Sequence, residues 1–345
     1  LMPAIRTEIT EIVTGLGMFD YPDLEHALEV RPRHFEGVPS DTYDRLREAH
    51  AGGAHGSLFA TAWDNGVRFS RSVEGLRGRP PWLVEWKGSH RPPGYEQLPA
   101  DLRVDHVYLV SCKYGSNILT NSSPSNLFDR MLVDRVDGRS DWYLEVAPEA
   151  YQALYEECRD LVGDARLPKA VADLSQADRD HLKAAMPRRL QGGALVAYRR
   201  LADAVSVASS RRWGRHLSSP AAREQMVWRL LRLQAAPYFV LGQSADGRPL
   251  AYRVSTPWDL RASFRFGGFE HRGVLGRGQP VVGWSATFRS RSSGVEQVVE
   301  GHIQVRWSHG KFARPPEAKV YLDTHHHLVP GYVPLVLPRG DDLFG

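Results

Sequence analysis

Four polar residues around one apolar segment have the types and spacing of a metal-dependent catalytic site. Asp101 and Asp105 precede the apolar run Val107–Val110, and Ser111 and Lys113 follow it. Side chains two residues apart point to the same face of a β-strand, and all four positions are odd. Carboxylate oxygens are ligands that Mg²⁺ prefers, and a lysine beside the metal can orient an attacking water. The pattern predicts one catalytic face; the alternative for Lys113 is a strand-end lysine that reaches solvent.

Serine is a poor metal ligand, so the predicted site needs a further acid. One candidate is Glu85, two residues before Lys87, on a strand that the sequence PPWLVEWKG indicates. The alternative for Glu85 is an exposed ion pair at the end of that strand. A second candidate is Glu11, which shares a face of a predicted amphipathic helix with Glu8, three residues away. Asp101 is the third candidate.

The same residues resemble the motif of the PD-(D/E)XK, or restriction-endonuclease-like, superfamily over residues 1–145. The resemblance rests on an acid-bearing first helix, on the stretch Pro99–Asp105 and on the tripeptide Ser111–Lys113, where serine replaces the family's acid. It implies a nuclease-like mixed-sheet core, a Mg²⁺ or Mn²⁺ cofactor and endonuclease activity on DNA, of restriction or defence type.

In this interpretation the acids hold the metal, Lys113 positions the water and Ser111 is a secondary contact. The polar segment after the lysine, which includes Asn117, resembles the segment that runs near DNA in several restriction enzymes. The predicted metal ligands are Asp105, Asp101 and Glu11. The predicted catalytic residues are Asp105, Ser111, Lys113, Asp101 and Glu85.

Two other regions are alternative sites. Glu300 is followed after 17 residues by Glu317-Ala-Lys319, which repeats the order of an acid and an ExK tripeptide. Three consecutive histidines, His325 to His327, are candidates for a zinc site or for a small-molecule hydrolase, although only alternate side chains of a strand converge.

Basic charge is concentrated toward the C-terminus. Residues 206–345 contain 19 Lys and Arg against 10 Asp and Glu, whereas residues 1–205 contain 25 against 30. Such a basic region is typical of proteins that bind a polyanion, and an ordinary basic surface is the alternative. The predicted DNA-contacting residues are Asn117, Arg211, Arg212, Arg215, Arg306, Trp307, His309, Lys311 and Arg314.

The composition is that of an ordinary globular protein, with 42% hydrophobic and 24% charged residues. No stretch approaches the roughly 20 apolar residues that span a bilayer, so no membrane partner is expected. Two cysteines, Cys112 and Cys158, are too few for a disulfide framework, which favours a reducing cytoplasm. The expected partner is DNA, and the expected assemblies are a homodimer or a defence complex.

The secondary-structure pattern predicts an α+β protein in three consecutive parts. Residues 1–146 form a mixed-sheet nuclease-like core, residues 147–237 a helical segment, and residues 238–345 a β-rich basic domain that recognises DNA. The pair Asn65-Gly66, between alternating sequences, predicts a β-hairpin. Residues 105–114 are predicted as a strand and residues 90–99 as a loop.

Overall fold

The computed structural model of the chain describes residues 5–88, 100–133 and 141–337, so the predicted loop 90–99 lies outside the described residues. Helices dominate the middle of the chain and strands its C-terminal part, which confirms the predicted α+β class. None of the helices in the described ranges is both long and apolar enough to cross a membrane.

The helices and strands have the following bounds. The α-helices are α1 (Ile5–Glu8), α2 (Thr14–Leu16), α3 (Leu24–Val30), α4 (Ser40–Ala51), α5 (Gly56–Arg71), α6 (Pro124–Phe128), α7 (Trp142–Val146), α8 (Pro148–Val162), α9 (Gln176–Ala185), α10 (Gly192–His216), α11 (Pro220–Leu230) and α12 (Pro257–Ser263). The strands are β1 (Phe35–Glu36), β2 (Val84–Trp86), β3 (Leu102–Val104), β4 (Tyr108–Lys113), β5 (Ile118–Ser122), β6 (Tyr238–Gln243), β7 (Pro249–Val254), β8 (Phe264–Val274), β9 (Val281–Ser290), β10 (Glu296–Arg306), β11 (Glu317–Leu322) and β12 (Tyr332–Pro334).

The chain forms two compact units, each built from separated stretches of sequence. The first unit comprises Leu1–Asn117, Leu233–Leu260 and His326–Gly345, and the second comprises Ile118–Arg232 and Arg261–His325. The sequence pattern predicted three consecutive parts instead.

The first unit contains a seven-stranded mixed sheet in the order β1-β2-β3-β4-β6-β7-β12. Strands β2, β3 and β4 are antiparallel neighbours, and β4 pairs in parallel with β6. Strands β2 and β4 therefore end, and β3 begins, at the same edge of the sheet. We call this edge, which carries Lys87, Asp101 and Lys113, the β4 edge.

One face of this sheet packs on the N-terminal helices. Val84, Trp86 and Val110 belong to a buried cluster that also contains Ile12 of the first helical stretch and Phe69 of α5. Alternation along β2 directs Val84 and Trp86 to this core and the residue between them to the opposite face.

The predicted hairpin at Asn65-Gly66 is wrong, because these residues lie inside helix α5. A Cβ atom at Gly66 would lie 2.1 Å from the carbonyl oxygen of Thr14 and 2.9 Å from the Cα atom of Gly17. The glycine therefore permits two helix backbones to touch. Asn-Gly pairs favour turns locally, but here tertiary packing decides the conformation.

The first helical stretch contains a π-helical turn, Ile9–Val13, between α1 and α2. The hydroxyl groups of Thr10 and Thr14 each donate a 2.7 Å hydrogen bond to the carbonyl oxygen four residues earlier. Such bonds bend helices, and single π turns are frequent at functional sites. This turn carries Glu11.

The second unit contains a five-stranded antiparallel sheet in the order β5-β11-β10-β9-β8. Helix α10 lies against β8, where a Cβ atom at Gly273 would be 2.7 Å from the carbonyl oxygen of Ser206. Helix α11 begins as predicted, with Pro220 in its first turn and the Ser219 hydroxyl accepting a hydrogen bond from the N–H of Ala222.

Candidate active site

Backbone hydrogen bonds hold two lysines and an aspartate at the β4 edge. Lys87 follows β2, and its N–H donates to the carbonyl oxygen of Asp101 over 3.0 Å. The N–H of Asp101 donates to the carbonyl oxygen of Val110 over 2.8 Å. Lys113 is the last residue of β4. The side chains of all three residues therefore start from neighbouring strands at one end of the sheet.

The Asp101 carboxylate is oriented by strand β4. Its Oδ2 atom accepts a 2.7 Å hydrogen bond from the N–H of Cys112, and the Ser111 hydroxyl lies 3.4 Å away as a second donor. Ser111 is buried, with 4% of its surface exposed. The serine that replaces the expected acid is thus a positioning contact for Asp101.

Glu11 approaches the same edge from the π-helical turn. The indole Nε1–H of Trp86 donates to Oε2 of Glu11 over 2.6 Å. Trp86 is the last residue of β2 and immediately precedes Lys87. This hydrogen bond links the helix-borne acid to the strand end that carries one of the lysines.

Charged groups from several elements shift the pKa of Cys112. Burial raises the pKa of the Cys112 thiol well above its ordinary value, and the carboxylates of Asp101 and Glu11 raise it further. A hydrogen bond with Thr14 and the charge of Lys113 lower it. The pKa of this one thiol therefore depends on the charges of two acids and one lysine.

Glu11 and Asp101 are the two carboxylates at the β4 edge that could hold a divalent cation. Within residues 5–88, 100–133 and 141–337, no three or more His, Cys, Asp or Glu side chains form a metal-binding group. Mg²⁺ is commonly held by only one or two carboxylates, with waters and substrate phosphates as its other ligands. Two oriented carboxylates therefore fit Mg²⁺ or Mn²⁺ better than a metal that requires three or four protein ligands.

Asp105 lies at the opposite end of β4, which corrects its predicted grouping with Lys113. Its Oδ1 atom accepts hydrogen bonds from the N–H groups of Trp82 (2.7 Å) and Leu83 (3.0 Å), and Oδ2 is 2.6 Å from the Arg79 guanidinium. The six residues of β4 separate Asp105 from Lys113 by more than about 15 Å at the usual rise per residue. Asp105 therefore stabilises the start of β2.

Glu85 lies on the face of β2 opposite Trp86 and does not compensate for Ser111. Its carboxylate accepts hydrogen bonds of 2.6 and 2.5 Å from the Arg103 guanidinium and lies 3.2 Å from Nδ1 of His106. The hydrogen bonds from Arg103 are the main cause that lowers the pKa of Glu85. The structure thus contains the ion pair that was the alternative interpretation.

The alternative acids of the C-terminal hairpin are far apart. Strands β10 and β11 are antiparallel with Arg306 opposite Glu317, so Glu300 lies toward the other end of the pair. Glu317 is buried and accepts hydrogen bonds from Ser308 Oγ (2.6 Å) and Asn121 Nδ2 (3.1 Å). These contacts indicate a structural role for Glu317.

The histidine triplet does not form the alternative zinc site with other described residues. The middle histidine, His326, stacks on Tyr252 with ring centroids 5.5 Å apart and lies 6.2 Å from the ring of Tyr332. Its ring is therefore part of an aromatic stack in the first unit.

Among the predicted DNA-contacting residues, Arg212 is held by acids of its own unit. Its guanidinium contacts Asp129 (2.6 Å) and Glu145 (2.5 Å) and lies 5.1 Å from the centre of the Trp142 ring. These contacts give Arg212 a structural role within its unit, and its phosphate contact stays a prediction. The predicted residues that are exposed are Arg211, Arg215, His309 and Arg314.

Two further predicted DNA contacts also have partners within the chain. The Asn117 Oδ1 atom accepts a 3.1 Å hydrogen bond from the N–H of Ala245. The Trp307 ring packs against Tyr143 and Phe312, with centroids 5.1 and 5.0 Å away. These two contacts therefore fix the orientation of the Trp307 ring. Arg306 and Lys311 line a cavity described below.

Sequence reasoning missed Trp86 as the residue that orients Glu11. No local signal could have identified it, because the hydrogen bond depends on how the first helical stretch packs on β2. Comparisons of the chain with protein-family models, curated proteins and solved structures found no match.

Proposed function

We propose that the protein is a divalent-metal-dependent DNA endonuclease of restriction or defence type. The observation that supports this proposal is that the Trp86 indole orients Glu11 and the Cys112 amide orients Asp101 at the β4 edge, where strand β4 ends at Lys113. The resemblance of these motifs to the PD-(D/E)XK superfamily leads to the same reaction, hydrolysis of a phosphodiester bond.

Glu11 and Asp101 are the proposed ligands of Mg²⁺ or Mn²⁺. When bound, such an ion neutralises phosphate charge and lowers the pKa of a coordinated water. The Trp86 indole and the Cys112 amide keep the two carboxylates in fixed orientations. Fixed ligands avoid reorganisation during the reaction, which is a main source of catalytic power in polar sites.

Lys113 is the proposed residue that orients the attacking water and offsets charge on the phosphate. It is the last residue of β4 and directly follows Cys112, whose amide orients Asp101. Lys87, whose Nζ atom is buried, adds a second positive charge at the same edge. Preorganised cations of this kind stabilise the charge that develops in phosphoryl transfer.

A cleavage assay tests this function. Plasmid DNA, with and without modified bases, is incubated with the protein and Mg²⁺ or Mn²⁺. We expect cleavage by the wild type, and at least about a hundredfold slower cleavage by Glu11→Gln, Asp101→Asn and Lys113→Ala. Asp64→Asn is the matched control, because Asp64 is an exposed acid on α5. Intact DNA with the wild type, or normal cleavage by Lys113→Ala, would contradict the proposal.

The second candidate function is nucleic-acid binding without catalysis, as in a sensor or scaffold. Ser111 favours it, because a serine stands where the resemblance requires an acid. A binding assay with the DNA of the cleavage assay distinguishes the two functions. If the protein binds this DNA but does not cleave it with Mg²⁺ or Mn²⁺, it has the second function. Both cysteines are free thiols, and we propose a cytoplasmic setting in either case.

A further inference from the structure

A basic cavity of about 830 Å³ lies within the second unit. It is bounded by the connection between α9 and α10, by the first turns of α10 and by the loop after β10. None of the described residues that line it is an acid, and its cationic side chains are Lys183, Arg188, Arg189, Arg306 and Lys311. We call it the basic cavity.

Four of these cations have no neutralising partner in the described part of the chain. Lys183, Arg188, Arg189 and Arg306 form no ion pair with any residue that the structure describes. Other arginines of the unit, such as Arg212 and Arg261, do form ion pairs with acids. Like charges held together without counter-ions repel, and an anionic ligand relieves that repulsion.

The fifth cation, Lys311, connects two of the segments that line the basic cavity. Its Nζ atom donates to the carbonyl oxygens of Pro187 (3.1 Å) and Arg188 (3.0 Å), and burial lowers its pKa. Gly310, at φ +108°, lets the loop contact Lys183, because a Cβ atom there would lie 3.1 Å from the Cγ atom of that lysine. The loop after β10 is therefore fixed against the segment that carries Arg188 and Arg189.

An aromatic wall completes the basic cavity. The rings of Tyr198 and Trp307 line it, with centroids 6.2 Å apart and planes 22° apart. Tyr143 and Phe312 pack against Trp307 and fix its orientation. A fixed aromatic surface beside unneutralised cations matches a ligand that has both an anionic group and a planar ring.

We propose that the basic cavity binds one nucleotide unit of a DNA strand. The phosphate contacts Arg188, Arg189 and Arg306, and the base lies against the wall of Tyr198 and Trp307. A simple anion would contact only the cationic side chains. A nucleotide would contact these side chains through its phosphate and the aromatic wall through its base. The inference rests on the proposed function in taking DNA as the polymer, but it requires no cleavage.

The test measures binding of a fluorescein-labelled single-stranded oligonucleotide by anisotropy, in EDTA so that no metal-dependent cleavage occurs. The double variant Arg188→Gln/Arg189→Gln removes two exposed side chains that make no ion pair with any described residue. We expect about tenfold weaker binding, and a slope of log Kd against log salt that is smaller by about 1.

The matched control is Arg199→Gln/Arg200→Gln, an adjacent exposed arginine pair on α10 that does not line the basic cavity. It removes the same charge, so unchanged binding supports a local contact. Thermal unfolding by circular dichroism checks that both variants fold. Equal weakening by the two double variants, or normal binding by the first, would overturn the proposal.

Competition experiments with the wild type separate the ligand chemistries. We expect a nucleoside monophosphate to displace the oligonucleotide at concentrations where inorganic phosphate does not. Equal displacement by inorganic phosphate, or tighter binding of the free nucleotide than of the oligonucleotide, would overturn the assignment to a strand. A protein that binds DNA through the basic cavity but never cleaves it would support this inference while contradicting the proposed endonuclease.

Discussion

The carboxylates of Glu11 and Asp101 are each oriented by a donor from the sheet, the Trp86 indole and the Cys112 amide. At the scale of single residues, this arrangement accounts for Ser111. An acid at 111 is unnecessary if two acids from other elements reach the same edge, and the serine hydroxyl instead lies near Asp101. Fixed orientation of the ligands is what a metal site of only two carboxylates requires.

The reactivity of Cys112 provides a test of this geometry that is independent of activity. Asp101→Asn or Glu11→Gln removes a negative charge that raises the pKa of the thiol. A lower pKa means more thiolate at a given pH, so we expect severalfold faster alkylation by iodoacetamide at a pH near 8.5, with the rate rising as pH rises. Mass spectrometry of the peptide measures the rate.

Cys158 is the internal control for that experiment. Burial raises its pKa to about 12, and the charged side chains that also shift it are Lys311 and Glu157. Its rate should therefore be the same in all proteins. Identical Cys112 rates in the wild type and in both variants would contradict the placement of the acids beside this thiol.

At the scale of elements, the position of the site depends on the contact between α5 and the first helical stretch. Gly66→Ala should destabilise the protein by about 2 kcal/mol, because the new methyl group would overlap the carbonyl oxygen of Thr14. Helix propensity alone predicts the opposite sign, a gain of up to about 1 kcal/mol. Urea denaturation measures the free energy of unfolding.

Gly56→Ala is the matched control in the same helix, because a Cβ atom there meets nothing within 4 Å. We expect it to be neutral or slightly stabilising. Equal free energies of unfolding for the two alanine variants would contradict the close contact between Gly66 and Thr14.

Several elements could be predicted from sequence because their signals are local. The apolar run before Ser111 predicts β4, and Ser219 with Pro220 predicts the start of α11, as the structure has them. The turn before β4 could not be predicted in this way. Asp105 and His106 both adopt positive φ, 51° and 58°, without the glycine that usually marks a two-residue hairpin turn.

That missed turn explains the main error in the predicted site. In a single strand over residues 105–114, alternation places Asp105 on the face of Lys113, but the turn puts Asp105 at the other end of β4. The part of the site within a strand was predictable from spacing. The contribution of Glu11 depends on packing between elements, so the sequence indicated it only as one candidate among several.

At the scale of the whole molecule, each unit depends on stretches far apart in sequence. The sheet that carries the β4 edge requires β6, β7 and β12, which follow residue 237. In a fragment of residues 1–146, β4 would lose its parallel neighbour β6 and become an unpaired edge. Leu241 and Phe239 would also be missing from the core.

We therefore expect the fragment 1–146 to lack cooperative unfolding, although the sequence pattern assigned a domain to these residues. Circular dichroism against temperature measures this, with the full chain as the control. A sharp transition with native-like ellipticity in the fragment would show that the predicted consecutive domain folds alone, and would contradict the division into discontinuous units.

The most direct test of the central claim is anomalous diffraction from a crystal of the protein grown with Mn²⁺. We expect an anomalous peak about 2.0–2.3 Å from carboxylate oxygens of both Glu11 and Asp101. The peak should be absent from crystals of Glu11→Gln. A Mn²⁺ ion bound elsewhere, with none between these two carboxylates, would contradict the account.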